Sequence, residues 1–160
     1  HGKRNFCNRF EAANEWRYEP LSPANFDACR ELLRHWDAEK DGGSTEENEA
    51  IERMFRFWDS LGMVGGVLFA NGKPAAFTAG EPLGSDTIDV HFEKALDDLP
   101  GEYPMIAREF ARQLQAGLPE IRYLNREEDM GLPGLRKAKE EWYPMFLIEK
   151  YTALLQEDAP

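Results

Sequence analysis

Residues 123–144 of the chain read YLNREEDMGLPGLRKAKEEWYP. The segment begins within an apolar run, residues 121–124, which predicts a short strand. Five polar residues follow directly, and Gly131, Pro133 and Gly134 then precede a charged helical stretch. A strand that runs into a polar loop and then a helix is typical of the ligand-binding edge of an α/β sheet. We therefore expect the functional surface of the protein to lie here.

The bulk composition is that of one globular domain with a strong negative charge. Of the 160 residues, 42% are hydrophobic and 12% aromatic, which is enough to build a core. The 30 acidic and 19 basic residues leave a formal net charge of -11. This charge disfavours an extended nucleic-acid surface and binding to an anionic membrane, because both need clustered Lys and Arg. A small local basic patch is still compatible with this net charge.

The cysteine content and the apolar runs indicate a reduced compartment and no membrane span. The two cysteines, Cys7 and Cys29, make neither a disulfide framework nor a metal set, so we expect buried or idle thiols. No apolar run approaches the roughly 20 residues that a transmembrane helix needs. We expect a cytoplasmic protein without a transmembrane segment.

The N-terminal half is predicted to hold a helix, a strand and two further helices. Residues 3–13 are read as a short helix and residues 16–21 as a short strand at a sheet edge. A second helix is expected to start at Ser22, whose hydroxyl would cap it. The third helix is recognised from apolar residues at i, i+3, i+4 and i+7 spacing. Its buried stripe is Ile51, Met54, Phe55, Trp58 and Leu61.

A β-hairpin is the clearest local prediction. Residues 63–70 and 74–80 are apolar runs joined by Asn71 and Gly72, the pair that supplies both positive φ angles of a type I′ turn. Residues 87–95 then alternate as a third strand of the meander. The alternation predicts an apolar face of Ile88, Val90 and Phe92 and a polar face of Asp89, His91 and Glu93.

The C-terminal half is predicted to continue as helix, strand, helix and strand. Pro104 and Pro133 each stand at a first helical turn, on either side of the strand over residues 121–124. An apolar strand over residues 145–155 is expected to close the domain. The full order, β-α-α-β-β-β-α-β-α-β, is that of the GCN5-related N-acetyltransferase (GNAT) fold, an α+β fold with a mixed sheet.

Four stretches spread over nearly the whole chain form a recognisable set. They read GKRNFCNRF, KPAAFTAGE, VHFEKALDDLPGEYPMIAREFA and IRYLNREEDMGLPGLRKAKEEWYP. They resemble the DUF2156 family, which is similar to the C-terminal domain of phosphatidylglycerol lysyltransferases. The combination that carries the resemblance is Asn125, Arg126, Glu127, Asp129, Gly131, Gly134, Leu135, Arg136, Ala138 and Lys139.

The resemblance implies a GNAT-like fold that often occurs in tandem copies. This chain would then be the C-terminal copy, and an N-terminal GNAT-like domain absent from it is the expected partner. Relatives of the family transfer an amino acid from aminoacyl-tRNA onto a lipid, which suggests a similar reaction without requiring it.

A phosphate-binding loop is the second expectation that the GNAT resemblance implies. In acyltransferases of this fold, backbone N–H groups before a helix bind the cofactor pyrophosphate, in a Gln/Arg-x-x-Gly-x-Gly/Ala pattern. The aligned positions around Pro100, Gly101 and Glu102 match only at the central glycine. Asp98 and Glu102 bring negative charge to the loop, and Tyr103 brings bulk. Acyl-CoA binding at these residues is therefore set against a structural loop or a site for another ligand.

Acid–base candidates lie on the strand over residues 87–95. His91 and Glu93 are suited to accept a proton, since acyl transfer to an amine needs a proton acceptor. Tyr103 is expected to line the same cleft. The alternative is an ordinary polar strand face. No metal site is predicted, because His91 and Glu93 lack an evident third ligand.

Ligand-binding candidates lie in the opening segment. Arg126 is suited to bind a carboxylate or phosphate with two hydrogen bonds, while Asp129 either binds ligand or caps the following helix. Arg136 and Lys139 share one helix face. The alternative is a structural network of these charges. The full set of predicted substrate-binding residues is Asn125, Arg126, Glu128, Asp129, Arg136 and Lys139.

Two functions remain after these observations. The first is an acyl- or aminoacyltransferase with a GNAT-like fold, acting on an unidentified small acceptor with acyl-CoA or aminoacyl-tRNA as donor. The second is a non-catalytic half of a tandem protein, which serves ligand sensing or domain association. In both, residues 1–15 are a connector helix and residues 16–160 a single domain.

Overall fold

In the computed structural model, residues 2–39, 45–96 and 98–154 are described, and they contain five helices and five strands. The helices are α1 (Gly2–Ala13), α2 (Phe26–Glu39), α3 (Thr45–Arg56), α4 (Glu102–Gly117) and α5 (Pro133–Glu140). The strands are β1 (Trp16–Pro20), β2 (Val64–Ala70), β3 (Lys73–Pro82), β4 (Thr87–Ala95) and β5 (Tyr123–Asn125). The chain divides into two compact units, His1–Glu128 and Asp129–Pro160. No described helix is both long enough and apolar enough to cross a lipid bilayer.

The sheet lies in the first unit and keeps its strands in chain order, β1 to β5. The first four strands pair antiparallel as a meander. β5 pairs parallel to β4, and α4 makes the long crossover that a parallel pair requires. The predicted order of elements is thus confirmed from α1 to α5.

The hairpin between β2 and β3 follows from local turn chemistry. Asn71 and Gly72 have φ angles of 52° and 82°, and Ala70 pairs directly with Lys73 across them. Two successive positive φ angles define a type I′ turn, and the backbone twist of this turn matches that of the flanking strands. The predicted type of connection is confirmed.

β4 contains an irregularity at His91 that the predicted alternation missed. Ala79 of β3 pairs with Phe92, but the next residue, Gly80, pairs with Val90, so His91 is an extra residue. Such a bulge shifts the side chains that follow onto the other face of the sheet. Phe92 accordingly packs with the core of α2 and α3, whereas Val90 packs with α4 residues. The expectation that both share one face was wrong.

The first core layer packs α2 and α3 on one face of the sheet. The rings of Phe26 and Phe55 stack at 4.4 Å, and Trp58 lies 5.3 Å from Phe26. Cys29 is a fully buried thiol in this layer, as predicted, and burial raises its pKa to about 12. Leu61 is 46% exposed, because α3 ends at Arg56 and a turn carries this last predicted core position outward.

The second core layer packs α1 and α4 on the opposite face. Cys7 and Phe10 of α1 are buried and lie in one cluster with Met105 of α4. Arg108 of α4 donates to Glu11 of α1 at 2.6 Å. The helix predicted from the N-terminal residues is therefore an integral layer of the first unit.

Two predicted elements differ from the structure. α2 begins at Phe26, because the side chain of Asn25 accepts a hydrogen bond from the Ser22 backbone N–H and closes a turn before the helix. Residues 145–154 form no strand, so the predicted closing strand was wrong over the described part of its range. An apolar run becomes a strand only where a neighbouring strand takes its backbone hydrogen bonds, and none pairs with these residues.

Candidate active site

β4 and β5 separate after a short stretch of pairing. Thr87, Ile88 and Asp89 pair with Tyr123, Leu124 and Asn125, and the pairing ends there. β4 nevertheless continues for six more residues, to Ala95. We call the stretch between residues 90–95 and residues 126–128 the β4–β5 opening. Side chains, not backbone hydrogen bonds, span it.

His91 lies at the mouth of this opening between two carboxylates. Its Nδ1 atom is 3.0 Å from Glu127 Oε1, and its Nε2 atom is 3.0 Å from Glu81 Oε1. Burial alone would lower the pKa of His91, but the hydrogen bonds to Glu127 and Glu81 outweigh it and raise the pKa. The positive charge of a protonated imidazole is therefore stabilised here.

His91 lies beside two carboxylates that complete a set of three candidate metal ligands, which sequence analysis did not identify. Asp89, His91 and Glu127 each place one ligand atom within 4.8 Å of the others. Asp89 is brought there by strand register, since it pairs with Glu81 on one side and Asn125 on the other. These three residues are the group in the described part of the chain that is suited to hold a metal ion.

Glu93 and Arg126 form a second connection across the opening. Arg126 Nη2 donates to Glu93 Oε1 at 2.5 Å, and their side chains are 29% and 14% exposed. Lys94, the next residue, reaches Glu47 of α3 on the opposite face. Neighbouring strand residues alternate in direction, so Glu93 faces α4. The bulge thus separates Glu93 from His91, which were expected on one face.

The turn after β5 aims its two charged side chains back toward β4. The Asn125 side chain accepts a hydrogen bond from the Glu127 backbone N–H at 3.0 Å. Glu127 itself has a φ angle of 55°, a conformation that non-glycine residues rarely adopt. Asn125 therefore shapes the turn, while Arg126 and Glu127 reach β4. Glu128 follows as an exposed residue.

The loop before α4 does not fit a CoA pyrophosphate. Gly101 caps the helix with a φ angle of 109°, and a Cβ added there would lie 2.7 Å from the Phe6 carbonyl oxygen of α1. Glu102, in the first helical turn, is 2% exposed. A phosphate at this helix end would meet both the α1 backbone and a buried acidic residue. Gly101 thus serves packing between α1 and α4, Glu102 is buried next to it, and Pro100 is exposed.

Tyr103 lies in the first turn of α4, directly after the Gly101 loop, and packs in the layer formed by α1 and α4. It is half-buried and packs against the cluster that contains Phe10 and Ile106. The first unit thus places Tyr103 in the α1–α4 layer, beside the residues that close the N-terminus of α4.

The remaining predicted ligand-binding residues lie in the second unit. Arg136 Nε donates to Asp129, whose carboxylate also accepts the Gly131 backbone N–H at 2.9 Å. These hydrogen bonds, together with the charge of nearby Lys139, lower the pKa of Asp129. Asp129 does not cap α5, which starts after Leu132 without a side-chain cap. Asp129, Arg136 and Lys139 form one charged group within this unit.

Residues 1–154 match the model of one protein family, described as phosphatidylglycerol lysyltransferase, C-terminal. The chain belongs to this family. No curated protein matches its sequence. The family match over residues 1–154 confirms the resemblance that the sequence motifs predicted.

Solved structures place this member of the phosphatidylglycerol lysyltransferase C-terminal family among proteins with the GNAT fold. A conserved protein of unknown function from Bacteroides thetaiotaomicron is 36% identical, with a TM-score of 0.83 over 92% of this chain and 50% of that chain. The present chain thus spans about half the length of that protein. The C-terminal DUF2156 domain of an Agrobacterium fabrum protein, described as a lysylphosphatidylglycerol synthetase, has a TM-score of 0.51 at 16% identity over 72% and 37% of the two chains.

A third structure supports the fold alone. A protein from Clostridium difficile 630, described as a possible acetyltransferase, has a TM-score of 0.62 at 9% identity, over 88% of this chain and 99% of that chain. Together with the sheet order, these similarities confirm the predicted GNAT-like α+β fold.

Sequence reasoning missed Glu81, Asp89 and Glu127 as members of the site. Glu81 belongs to β3 and meets His91 through strand pairing, which no local pattern reveals. Glu127 could have been predicted from its position beside Arg126 after β5, since residues at a strand's C-terminal end often carry function.

Proposed function

We propose that this domain transfers an acyl or aminoacyl group to a small acceptor within the β4–β5 opening. The observation that supports this most is the convergence of charged side chains where the sheet stops pairing. The residues that converge are Glu81, His91, Glu93, Arg126 and Glu127. A strand end that opens beside titratable groups is the usual place for a site in folds of this kind.

His91 is the proposed proton acceptor. An amine or hydroxyl of the acceptor attacks the carbonyl carbon of the donor, and its proton passes to the imidazole. The carbonyl then re-forms, the bond from carbon to the leaving oxygen breaks, and the proton passes to that oxygen. Glu81 and Glu127 stabilise the transient imidazolium through their contacts at 3.0 Å.

Arg126 is the proposed electrostatic partner of the reaction. Its guanidinium faces the opening from the loop side, and its hydrogen bond to Glu93 fixes its position. A fixed cation near a developing oxyanion lowers the barrier, because no reorganisation is needed at the moment of reaction. We propose Arg136 and Lys139 for an anionic part of the ligand.

An oxygen ester is the proposed class of donor. The loop before α4 does not accommodate a CoA pyrophosphate, because α1 and Glu102 lie there. The name of the family, phosphatidylglycerol lysyltransferase, points to an aminoacyl ester such as lysyl-tRNA, with a lipid hydroxyl as acceptor. With a net charge of -11, the domain would contact mainly the aminoacylated end of such a donor.

Single-turnover loss of radiolabelled lysine from lysyl-tRNA tests the proposal, with phosphatidylglycerol vesicles or water as acceptor. We expect the protein to accelerate release over buffer, and His91→Ala to slow it by about 10²- to 10⁴-fold. His35→Ala, an exposed histidine of α2, is the matched control and should leave the rate unchanged. A wild-type rate equal to that of buffer, or equal rates for wild type and His91→Ala, would refute the proposal.

A non-catalytic role is the second candidate, and one observation favours it. Arg126–Glu93 and His91–Glu127 both span the opening and hold its two sides together. In that case the domain binds a ligand or a neighbouring domain without turnover. Saturable binding of lysyl-tRNA with no acceleration of lysine release would support this role.

A further inference from the structure

The geometry points to a divalent-cation site formed by Asp89, His91 and Glu127. The ion would be of the zinc or manganese class. Binding itself does not depend on the transferase proposal, whereas the effect on turnover given below rests on it.

The ligand set has the composition and spacing of a cation site. One atom from each residue lies within 4.8 Å of the other two, so small side-chain movements bring all three to bonding distance of one ion. An imidazole nitrogen with carboxylate oxygens suits Zn²⁺ and Mn²⁺. Three protein ligands also leave a coordination position open for water or another ligand.

Glu81 is not one of the three ligands, but its carboxylate orients the His91 ring. Its carboxylate is 3.0 Å from His91 Nε2, the ring nitrogen on the far side from Glu127. Histidines that bind metals usually donate this second N–H to a carboxylate, which fixes the tautomer and the ring orientation. With Nε2 protonated toward Glu81, the Nδ1 lone pair points at the other two ligands.

The local charge also favours a cation. Three carboxylates, of Glu81, Asp89 and Glu127, surround a single imidazole. The Oδ1 atom of Asp89 is shielded from solvent, so repulsion among these groups is only partly screened. The side chains of His91, Glu81 and Glu127 are 28%, 38% and 43% exposed, so an ion from solution can reach them.

A bound ion would regulate the proposed reaction. It occupies the Nδ1 lone pair of His91 and therefore competes with the proton that this nitrogen takes from the acceptor. Metal binding then inhibits transfer, and its removal restores transfer. This assigns regulation to the same side chains that we propose for proton transfer.

Isothermal titration of the EDTA-treated protein with ZnCl₂ and MnCl₂ tests the site. We expect one ion per chain, with affinity reduced at least about 10-fold in Glu127→Gln and Asp89→Asn. Glu81→Gln, which removes only the orienting contact, should weaken binding by about 10- to 100-fold. Glu120→Gln is the control, because this exposed carboxylate belongs to neither the ligand set nor the β4–β5 opening, and it should bind as wild type does.

Glu127 is exposed, so its variant keeps the test valid if Asp89→Asn fails to fold. Absence of binding to wild type, or equal affinity in wild type and Glu127→Gln, overturns the site. Co²⁺ absorption gives a second measurement, since its spectrum reports ligand number and geometry and should differ between wild type and Glu127→Gln. If the titrated protein binds metal but the EDTA-treated, metal-free protein does not turn over lysyl-tRNA, the metal site stands and the transferase proposal falls. If the metal-free protein turns over lysyl-tRNA but no metal binds in the titration, the transferase proposal stands and the metal site falls.

Discussion

Replacing Gly101 by alanine probes how tightly α1 closes the N-terminal end of α4. The residue has a φ angle of 109°, and an alanine Cβ would lie 2.7 Å from the Phe6 carbonyl oxygen and 3.3 Å from Phe10 Cβ. Backbone strain at positive φ costs about 1–3 kcal/mol. Displacing the packed α1 backbone adds about 1–3 kcal/mol, typical of an overfilled core. We expect Gly101→Ala to lose about 2–6 kcal/mol of unfolding free energy, the sum of these two contributions.

Gly84→Ala is the matched control for this loss. Gly84 also has a positive φ, 77°, but nothing lies within 4 Å of its added Cβ. It therefore reports backbone strain without the approach of α1, and should lose only the strain contribution of about 1–3 kcal/mol. Urea unfolding of both variants measures the difference, which corresponds to several degrees in melting temperature. Equal losses in the two variants would show that α1 does not press on Gly101, and α1 would then not exclude a CoA pyrophosphate from this loop.

Two further predictions concern the ion pairs of the first unit. Arg126→Met leaves the largely buried Glu93 carboxylate without its 2.5 Å donor, so urea unfolding should show a loss of about 1–2 kcal/mol; an Arg126→Met/Glu93→Gln double variant that regains none of it would contradict this. Arg108 lowers the pKa of Glu11 below its ordinary value of 4.5, so this pair stabilises the fold above that pH and stops doing so as pH falls through the folded-state pKa. Glu11→Gln should therefore cost about 0.5–1 kcal/mol at pH 7 and nothing in strong acid, and a loss that is constant with pH would refute the pairing.

Elements that depend on local chemistry were predictable from the sequence. Asn71 and Gly72 specify the hairpin turn because few residue pairs adopt two positive φ angles. The bounds of β4 followed from its alternation, but the bulge at His91 did not, since it arises from pairing with β3. The result is that Phe92 changes face. Register is a tertiary property that no single strand encodes.

The predicted strand over residues 145–155 failed for a related reason. An apolar run shows that a segment is suited to burial, but it does not supply the partner strand that would take its hydrogen bonds. The described residues 145–154 include Leu147 and Tyr151, which are 86% and 85% exposed. Apolarity alone was too weak a basis for this element.

The candidate site was predictable only in part. His91, Glu93 and Arg126 were selected because of their residue types and their places on or after a strand. Their partners were not, because Glu81 lies 10 residues from His91 in sequence and Glu127 lies 36 residues away. Strand pairing brings these groups together. It also places Asp89 beside His91 and Glu127, which gives the third candidate metal ligand that sequence analysis did not identify.

The most direct test of the central proposal is to map where an aminoacyl ligand binds. Backbone amide shifts would be recorded by NMR while a stable 3′-aminoacylamino-adenosine is titrated into the 160-residue protein. The proposal predicts saturable shifts at residues 89–93 and 125–127, with residues 98–103 unaffected. Shifts confined to residues 98–103, or no saturable shifts at the β4–β5 opening, would contradict it.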